Sequence, residues 1–183
     1  MKVYYPAFLL LILPAMLFSQ EISNLESVKK RMDNLGASGN VVIEADNSAE
    51  IAPDFEMTME DGSKKKLSDF QGEVLYVSFW ASWCGPCIKG FNNYRELRND
   101  MDSIGVVLLN ISVDEDYDSW KSAIEKHKPL GTQAIVSQDD LRELYQLYKI
   151  PRYEIIGKNS EFLYLSDEPN RDVLGNFQKF VDQ

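Results

Sequence analysis

The run Val74-Leu75-Tyr76-Val77-Ser78-Phe79-Trp80 constrains this chain more than any other stretch. It is apolar at almost every position and lacks the alternation of a strand with one wet face. Such a run reads as a strand buried on both faces, and that demands a sheet covered by helices on either side. Four residues after it stands Cys84-Gly85-Pro86-Cys87, which holds both cysteines of the chain. Pro86 suits the first turn of a helix, where a missing N–H costs nothing. A helix is predicted from about Pro86 to Met101, so the cysteines fall at a strand-to-helix junction.

The other elements follow from periodicity and turn chemistry. Upstream, Phe55, Met57 and Met59 alternate, Glu60-Asp61-Gly62-Ser63 turns, and Lys65 to Leu67 returns as the second strand of a hairpin. Ser68 to Gly72 reads as a single capped turn. Downstream, Val106 to Val113 is a second apolar strand. Asp116 caps a helix carrying Trp120, Ala123 and Ile124, and Ala134 to Val136 is a short strand. Asp139 to Tyr148 is predicted as a helix with Leu141, Leu144, Tyr145 and Tyr148 on one side. Tyr153 to Ile156 and Phe162 to Leu165 flank Gly157 to Ser160 as a hairpin, and Arg171 to Val181 closes the chain as an amphipathic helix. Parallel pairing in the first half and a hairpin in the second predict an α/β fold with a mixed central sheet flanked by helices.

With 183 residues, 44% of them hydrophobic, the chain suits one domain with an ordinary core. Its formal net charge of −10 argues against nucleic acid and anionic lipid as partners, since both require clustered Lys and Arg. The N-terminus differs in character. Lys2 precedes an apolar run from Ala7 to Phe18, followed by Ser19-Gln20-Glu21, in the manner of a secretory signal peptide over residues 1–19. An uncleaved membrane anchor is the alternative. Residues 20–50 form an extension of unassigned role, with a helix starting near Ser23 and a short strand at Val41 to Ile43. Residues 51–183 form the main domain. Export places the chain where disulfides persist, in a periplasm-like compartment.

Three readings are open for Cys84 and Cys87: a reactive redox pair, half of a metal site, or a structural staple. A closed zinc site needs four ligands, and His127 is the only histidine. A staple across two intervening residues closes too small a loop to stabilise much. The junction itself favours reactivity. Cys84 meets the unpaired N–H groups and positive dipole of the helix N-terminus, which stabilise a thiolate. Cys87, three residues on, lies on the same face within disulfide reach. This predicts an exposed nucleophile, Cys84, and a shielded resolving thiol, Cys87.

Trp83-Cys84-Gly85-Pro86-Cys87 after Phe79-Trp80-Ala81 resembles the thioredoxin active site. The surroundings resemble the exported TlpA/ResA-type thiol-disulfide oxidoreductases of the thioredoxin superfamily. Ala52-Pro53-Asp54-Phe55, Asp61-Gly62, Leu67-Ser68-Asp69-Phe70 and Gly72 are similar to their lead-in and hairpin, and Ile111-Ser112-Val113-Asp114 to their next strand. Tyr145 to Pro151 is similar to their approach to a cis-proline. The resemblance implies a thioredoxin fold with an added N-terminal β-hairpin and a Cys84–Cys87 disulfide that cycles with the dithiol. It also implies a cis Ile150–Pro151 bond, and substrate contacts at Trp83, Gly85, Pro86, Ile150 and Pro151. The expected partners are disulfide-bearing exported proteins and a membrane electron donor for re-reduction. No cofactor or metal is expected, and the protein is expected to be a monomer.

The departures from that pattern are specific. Ser78 stands where thioredoxin has a buried Asp. A Glu just after the following strand can serve instead in the exported relatives. Glu115 falls at that place and is the expected proton acceptor, with Asp114 beside it as the alternative. Lys89-Gly90-Phe91 replaces the usual Glu and Pro after the cysteines. Arg152 replaces the usual Thr after the proline, at a position expected to touch substrate. Two rivals remain: a thiol peroxidase of peroxiredoxin type, whose Pro-x-x-x-Thr-x-x-Cys setting is absent, and a non-catalytic binding module, against which the intact cysteine pair argues.

Overall fold

A computed structural model describes residues 41–42, 50–145, 147–167 and 181. The expected signal segment, the early helix and the helix predicted from Arg171 to Val181 lie outside the described residues, apart from Val181, which is helical. The described strands are β1 (Val41–Val42), β2 (Glu56–Met59), β3 (Lys64–Lys66), β4 (Val74–Trp80), β5 (Val106–Ser112), β6 (Thr132–Ile135), β7 (Arg152–Ile156) and β8 (Phe162–Ser166). The helices are α1 (Gly85–Ser103), α2 (Tyr117–His127) and α3 (Gln138–Leu144), with a 3-10 turn over Leu67–Phe70.

All the strands join one mixed sheet in the order β1-β8-β7-β4-β5-β6-β2-β3. β4 pairs in parallel with β5, and β5 in parallel with β6, while β4–β7, β7–β8, β8–β1, β6–β2 and β2–β3 are antiparallel. β4 therefore lies in the interior of the sheet, and all seven of its residues are buried. Its two faces meet different partners, because successive side chains point to opposite sides. On one face Trp80 meets Phe91 of α1 edge-on, at 5.1 Å between ring centroids. On the other, Phe79 meets Tyr145 at 5.9 Å, and Tyr145 in turn packs edge-on against Phe55 and Phe162.

The β2–β3 hairpin forms, turning through Gly62 at φ 85° with the Asp61 carboxylate accepting the Ser63 N–H and hydroxyl. β3 is three exposed lysines on a sheet edge, a composition that blocks pairing with another chain. Val41–Val42 pairs with β8, so part of the extension left without a role is an edge strand of the same sheet. One expected helix is shorter than its pattern. α3 stops at Leu144, and the Tyr145 and Leu147 N–H groups both bond back to the Leu141 carbonyl. Leu141 and Tyr145 are buried as expected, but Leu144, the last residue of α3, and Tyr148, in the loop beyond it, are exposed.

Candidate active site

β4 and β5 run side by side to the same level, with Trp80 opposite Ser112 and the Val113 N–H bonded to the Trp80 carbonyl at 2.9 Å. Beyond that point the two chains diverge into the loops that carry the site. After β4, a turn closed by the Cys84 N–H on the Ala81 carbonyl delivers Cys84 to the start of α1. Cys84 is the N-cap residue, in extended backbone conformation. Its sulfur accepts the Cys87 N–H at 3.3 Å, the role a Ser or Asp oxygen usually plays at this place. Pro86 occupies the second helical position, and Gly85 and Pro86 are exposed at the tip.

Cys84 and Cys87 are joined as a disulfide with Cα atoms 5.3 Å apart. The predicted asymmetry is present in order but small in size. Cys84 is 6% exposed and Cys87 2%, so Cys84 is not the open nucleophile expected. The cause is local: its sulfur is bonded to the buried Cys87 and accepts that residue's N–H. Trp83, at 65% exposure, is instead the projecting residue of the motif, while Trp80 is wholly buried.

The Ile150–Pro151 peptide bond is cis. A cleft of about 250 Å³ lies beside it, lined by Trp83, Val113, Leu147, Tyr148, Lys149 and Ile150. Two of the expected contact residues, Trp83 and Ile150, are thus brought together. Tyr148 and Lys149 were missed. Tyr148, expected on the face of a helix, is 70% exposed in the loop beyond α3. Lys149 pairs with Asp167 at 3.0 Å.

The carboxylates following β5 differ sharply. Glu115 is exposed. Asp114 is buried and accepts three hydrogen bonds: from the Ser82 N–H at 2.9 Å, the Ser82 hydroxyl at 2.7 Å and the Ser112 hydroxyl at 2.7 Å. Its own N–H donates to the Ser112 oxygen, which fixes that hydroxyl's proton toward the carboxylate.

Arg152 corrects an expectation. It follows Pro151 but does not face the cleft. Its side chain is buried, with one guanidinium nitrogen 2.6 Å from Glu154 and another donating to the Tyr145 carbonyl at 2.9 Å. Arg152 and Glu154, two apart in β7, lie on the same face of the sheet, and that face turns inward. Burial raises the Glu154 carboxyl above the usual carboxylate range, opposed by the charge and hydrogen bond of Arg152. Burial, reinforced by the Glu154 charge, raises the Tyr145 hydroxyl well above its ordinary value. Neither Arg152 nor Glu154 was marked in the sequence as a buried pair. The available signal was two opposite charges at strand spacing inside an otherwise apolar run.

Residues 49–179 match the AhpC/TSA family. The chain belongs to that family. It is 31% identical over 110 residues to a thiol-disulfide oxidoreductase ResA from Geobacillus kaustophilus, a match covering 60% of this chain and 63% of that relative's length. A solved structure of a putative thiol-disulfide oxidoreductase from Bacteroides vulgatus is 30% identical, with a TM-score of 0.65, and the match covers 73% of this chain and 95% of that one. The thioredoxin domain of another Bacteroides vulgatus thiol-disulfide oxidoreductase superposes with a TM-score of 0.66 at 24% identity, over 75% of this chain and 99% of that one, and shows the shared fold. The resemblance to the ResA type and the thioredoxin-like fold both stand on these matches.

Proposed function

We infer that this member of the AhpC/TSA family is a thiol-disulfide oxidoreductase that reduces disulfides of exported proteins through the Cys84–Cys87 pair. One observation carries the reading: a disulfide held at a helix N-cap, its first sulfur bonded to a helix N–H, on a strand-to-helix junction beside a cleft with a cis-proline.

In the reduced protein the Cys84 thiolate attacks one sulfur of a substrate disulfide. A Cys84–substrate disulfide forms, the substrate S–S bond breaks, and the departing thiolate takes a proton. Cys87 then loses its proton and attacks the Cys84 sulfur, which closes the Cys84–Cys87 bond and releases the second substrate thiol. Two electrons pass from protein to substrate. The site stabilises the attacking thiolate by the Cys87 N–H and the helix dipole. Trp83, Gly85, Pro86, Ile150 and Pro151 are the substrate-facing residues in this reading. Glu115 takes the Cys87 proton by way of water, a role supported by its place in the loop that follows β5.

The N-terminal segment supports export, with residues 1–19 as signal peptide and 51–183 as the thioredoxin-like domain. An exported reductant must be recharged, and a membrane dithiol carrier is the class of donor that fits. The protein works as a monomer in this reading. Among the described residues no helix is long and apolar enough to cross a membrane.

The test is turnover of a protein disulfide with dithiothreitol as electron source. Cys84→Ser abolishes it, and Cys87→Ser traps a mixed disulfide visible by mass. Full activity in Cys84→Ser, or peroxide turnover exceeding disulfide turnover, overturns the reading.

A further inference from the structure

Asp114 is absorbed neither by the core nor by the exchange chemistry. It is a buried carboxylate whose acceptor positions are aimed at one short segment, the loop that delivers Cys84. The sheet explains how it gets there. Trp80 and Ser112 are register partners, and Ser82 and Asp114 each stand two residues beyond their strand. The two diverging chains are tied together again by the Asp114 bonds to the Ser82 N–H and hydroxyl, with Ser112 supporting from behind. A backbone N–H can only donate, and the Ser112 hydroxyl proton is committed toward Asp114 by the Asp114 N–H. These donors suit an ionised carboxylate.

Ser82 is two residues from Cys84, a span of at most about 7 Å of extended chain. The buried carboxylate is therefore tied to the chain two residues before the nucleophile, where a like charge disfavours a second negative charge. The N-cap N–H and helix dipole pull in the opposite sense. Whatever stabilises the Cys84 thiolate stabilises the dithiol form and makes the disulfide a stronger oxidant, while whatever destabilises the thiolate makes the pair a stronger reductant. The other charged side chains on the segments around the pair are Lys89 on α1, Glu115 and Asp116 after β5, and Lys149 and Arg152 on either side of Pro151. All but Arg152 are exposed, and Arg152 is turned into the core against Glu154. Asp114 is the buried, uncompensated charge of this set.

We propose that Asp114 is a positioning residue that pins the Ser82 loop and, as a buried anion tied to the chain two residues before Cys84, biases the Cys84–Cys87 pair toward the reducing direction. The proposal rests on the reading of the pair as redox-active. It assigns to one residue the direction of electron flow that the cysteine motif leaves open.

The experiment uses the purified protein, iodoacetamide and glutathione. The rate of Cys84 alkylation in the reduced protein is followed against pH, and the thiol–disulfide equilibrium with glutathione is measured near the ordinary thiol value of about pH 8.5. Asp114→Asn raises the acid constant of Cys84 about tenfold and moves the glutathione equilibrium several-fold toward the dithiol. Ser82→Ala, which keeps the anion and the backbone bond, changes either by less than about threefold. If Asp114→Asn fails to fold, Asp114→Ser carries the same test, since it too removes the charge and leaves a smaller polar group at the site. An unmoved alkylation midpoint in the charge-removing variant overturns the proposal, as does an equal shift in Ser82→Ala. Because no protein substrate is involved, a wild-type pair that equilibrates with glutathione yet reduces no protein disulfide defeats the proposed function and leaves this test intact.

Discussion

Two buried carboxylates on this sheet are satisfied in opposite ways. Asp114, two residues beyond β5, is held by one backbone N–H and two hydroxyls, all neutral, next to the loop that carries Cys84. Glu154, in the middle of β7, is wholly buried against a single guanidinium that is itself buried. Neutral donors leave a net negative charge in place, and a guanidinium cancels it. The first arrangement projects a field onto the site, and the second removes one from the core. Position matches this contrast. Asp114 sits where strand register ends and loops begin, while Glu154 sits under the Tyr145 carbonyl at the exit of α3, bridged to it by Arg152. The Arg152–Glu154 pair therefore fixes the framework that leads to Pro151, and Asp114 fixes the segment that leads to Cys84.

The contrast breaks most visibly at Glu154. Glu154→Ala leaves the Arg152 guanidinium without its carboxylate in an apolar site, which costs about 3–5 kcal/mol. Urea unfolding reads this as a lower midpoint at unchanged slope. Replacing both partners, as Arg152→Met with Glu154→Leu, recovers most of the loss, since an apolar pair of similar volume avoids the desolvation of two charges. A single variant as stable as the wild type, or a double variant no better than the single, shows that the pair does not hold this part of the core.

The next effect is the pH dependence of stability. The Glu154 carboxyl is raised in the folded state, so as pH rises the unfolded chain gives up its proton first. The contribution of this group is complete below the unfolded carboxylate value of about 4.3. It is lost as pH rises from there through the raised folded value, and is flat beyond it. Asp61 and Asp116 behave in reverse. Both are lowered by hydrogen bonds from Ser63 and Ser119, so their contribution is present above the unfolded value and lost as pH falls. Stability measured against pH in Arg152→Met/Glu154→Leu loses the downward limb and keeps the acid-side rise. A wild-type curve that only rises with pH over this window shows that Glu154 is ionised throughout.

The two carboxylates also show what was legible in the sequence. The strand-to-helix junction could be read because its signals are local: an unbroken apolar run, a proline in a first helical turn, and two cysteines at helical spacing. The hairpins could be read from alternation around Gly62 and Gly157 to Ser160. Asp114 could be marked as a candidate, but its bonds to Ser82 depend on the register that sets Trp80 against Ser112, which no local pattern states. Arg152 was placed on the substrate side by its position after proline. Its true direction follows from the strand pleat, and that requires knowing where β7 begins. The expected helix from Asp139 to Tyr148 ends short for a related reason. Leu144 and Tyr148 continue a helical period, but the Tyr145 and Leu147 N–H groups both close on the Leu141 carbonyl and the Tyr145 carbonyl is taken by Arg152, so the helix ends at Leu144.

Trp83 gives the smallest effect on stability and sharpens the contrast between framework and site. Three residues earlier, Trp80 is wholly buried on β4 against Phe91. Trp83 is 65% exposed and lines the cleft with Tyr148 and Ile150. Trp83→Ala removes little buried area and shifts unfolding by no more than about 0.5 kcal/mol. Its cost falls on substrate binding, because an exposed aromatic beside the cleft offers a large rigid surface to an incoming polypeptide. The expected result is a higher KM for a protein disulfide, with kcat and the rate toward glutathione nearly unchanged, because glutathione is too small to use that surface. Equal losses toward the protein and toward glutathione place Trp83 in the exchange step instead of in recognition.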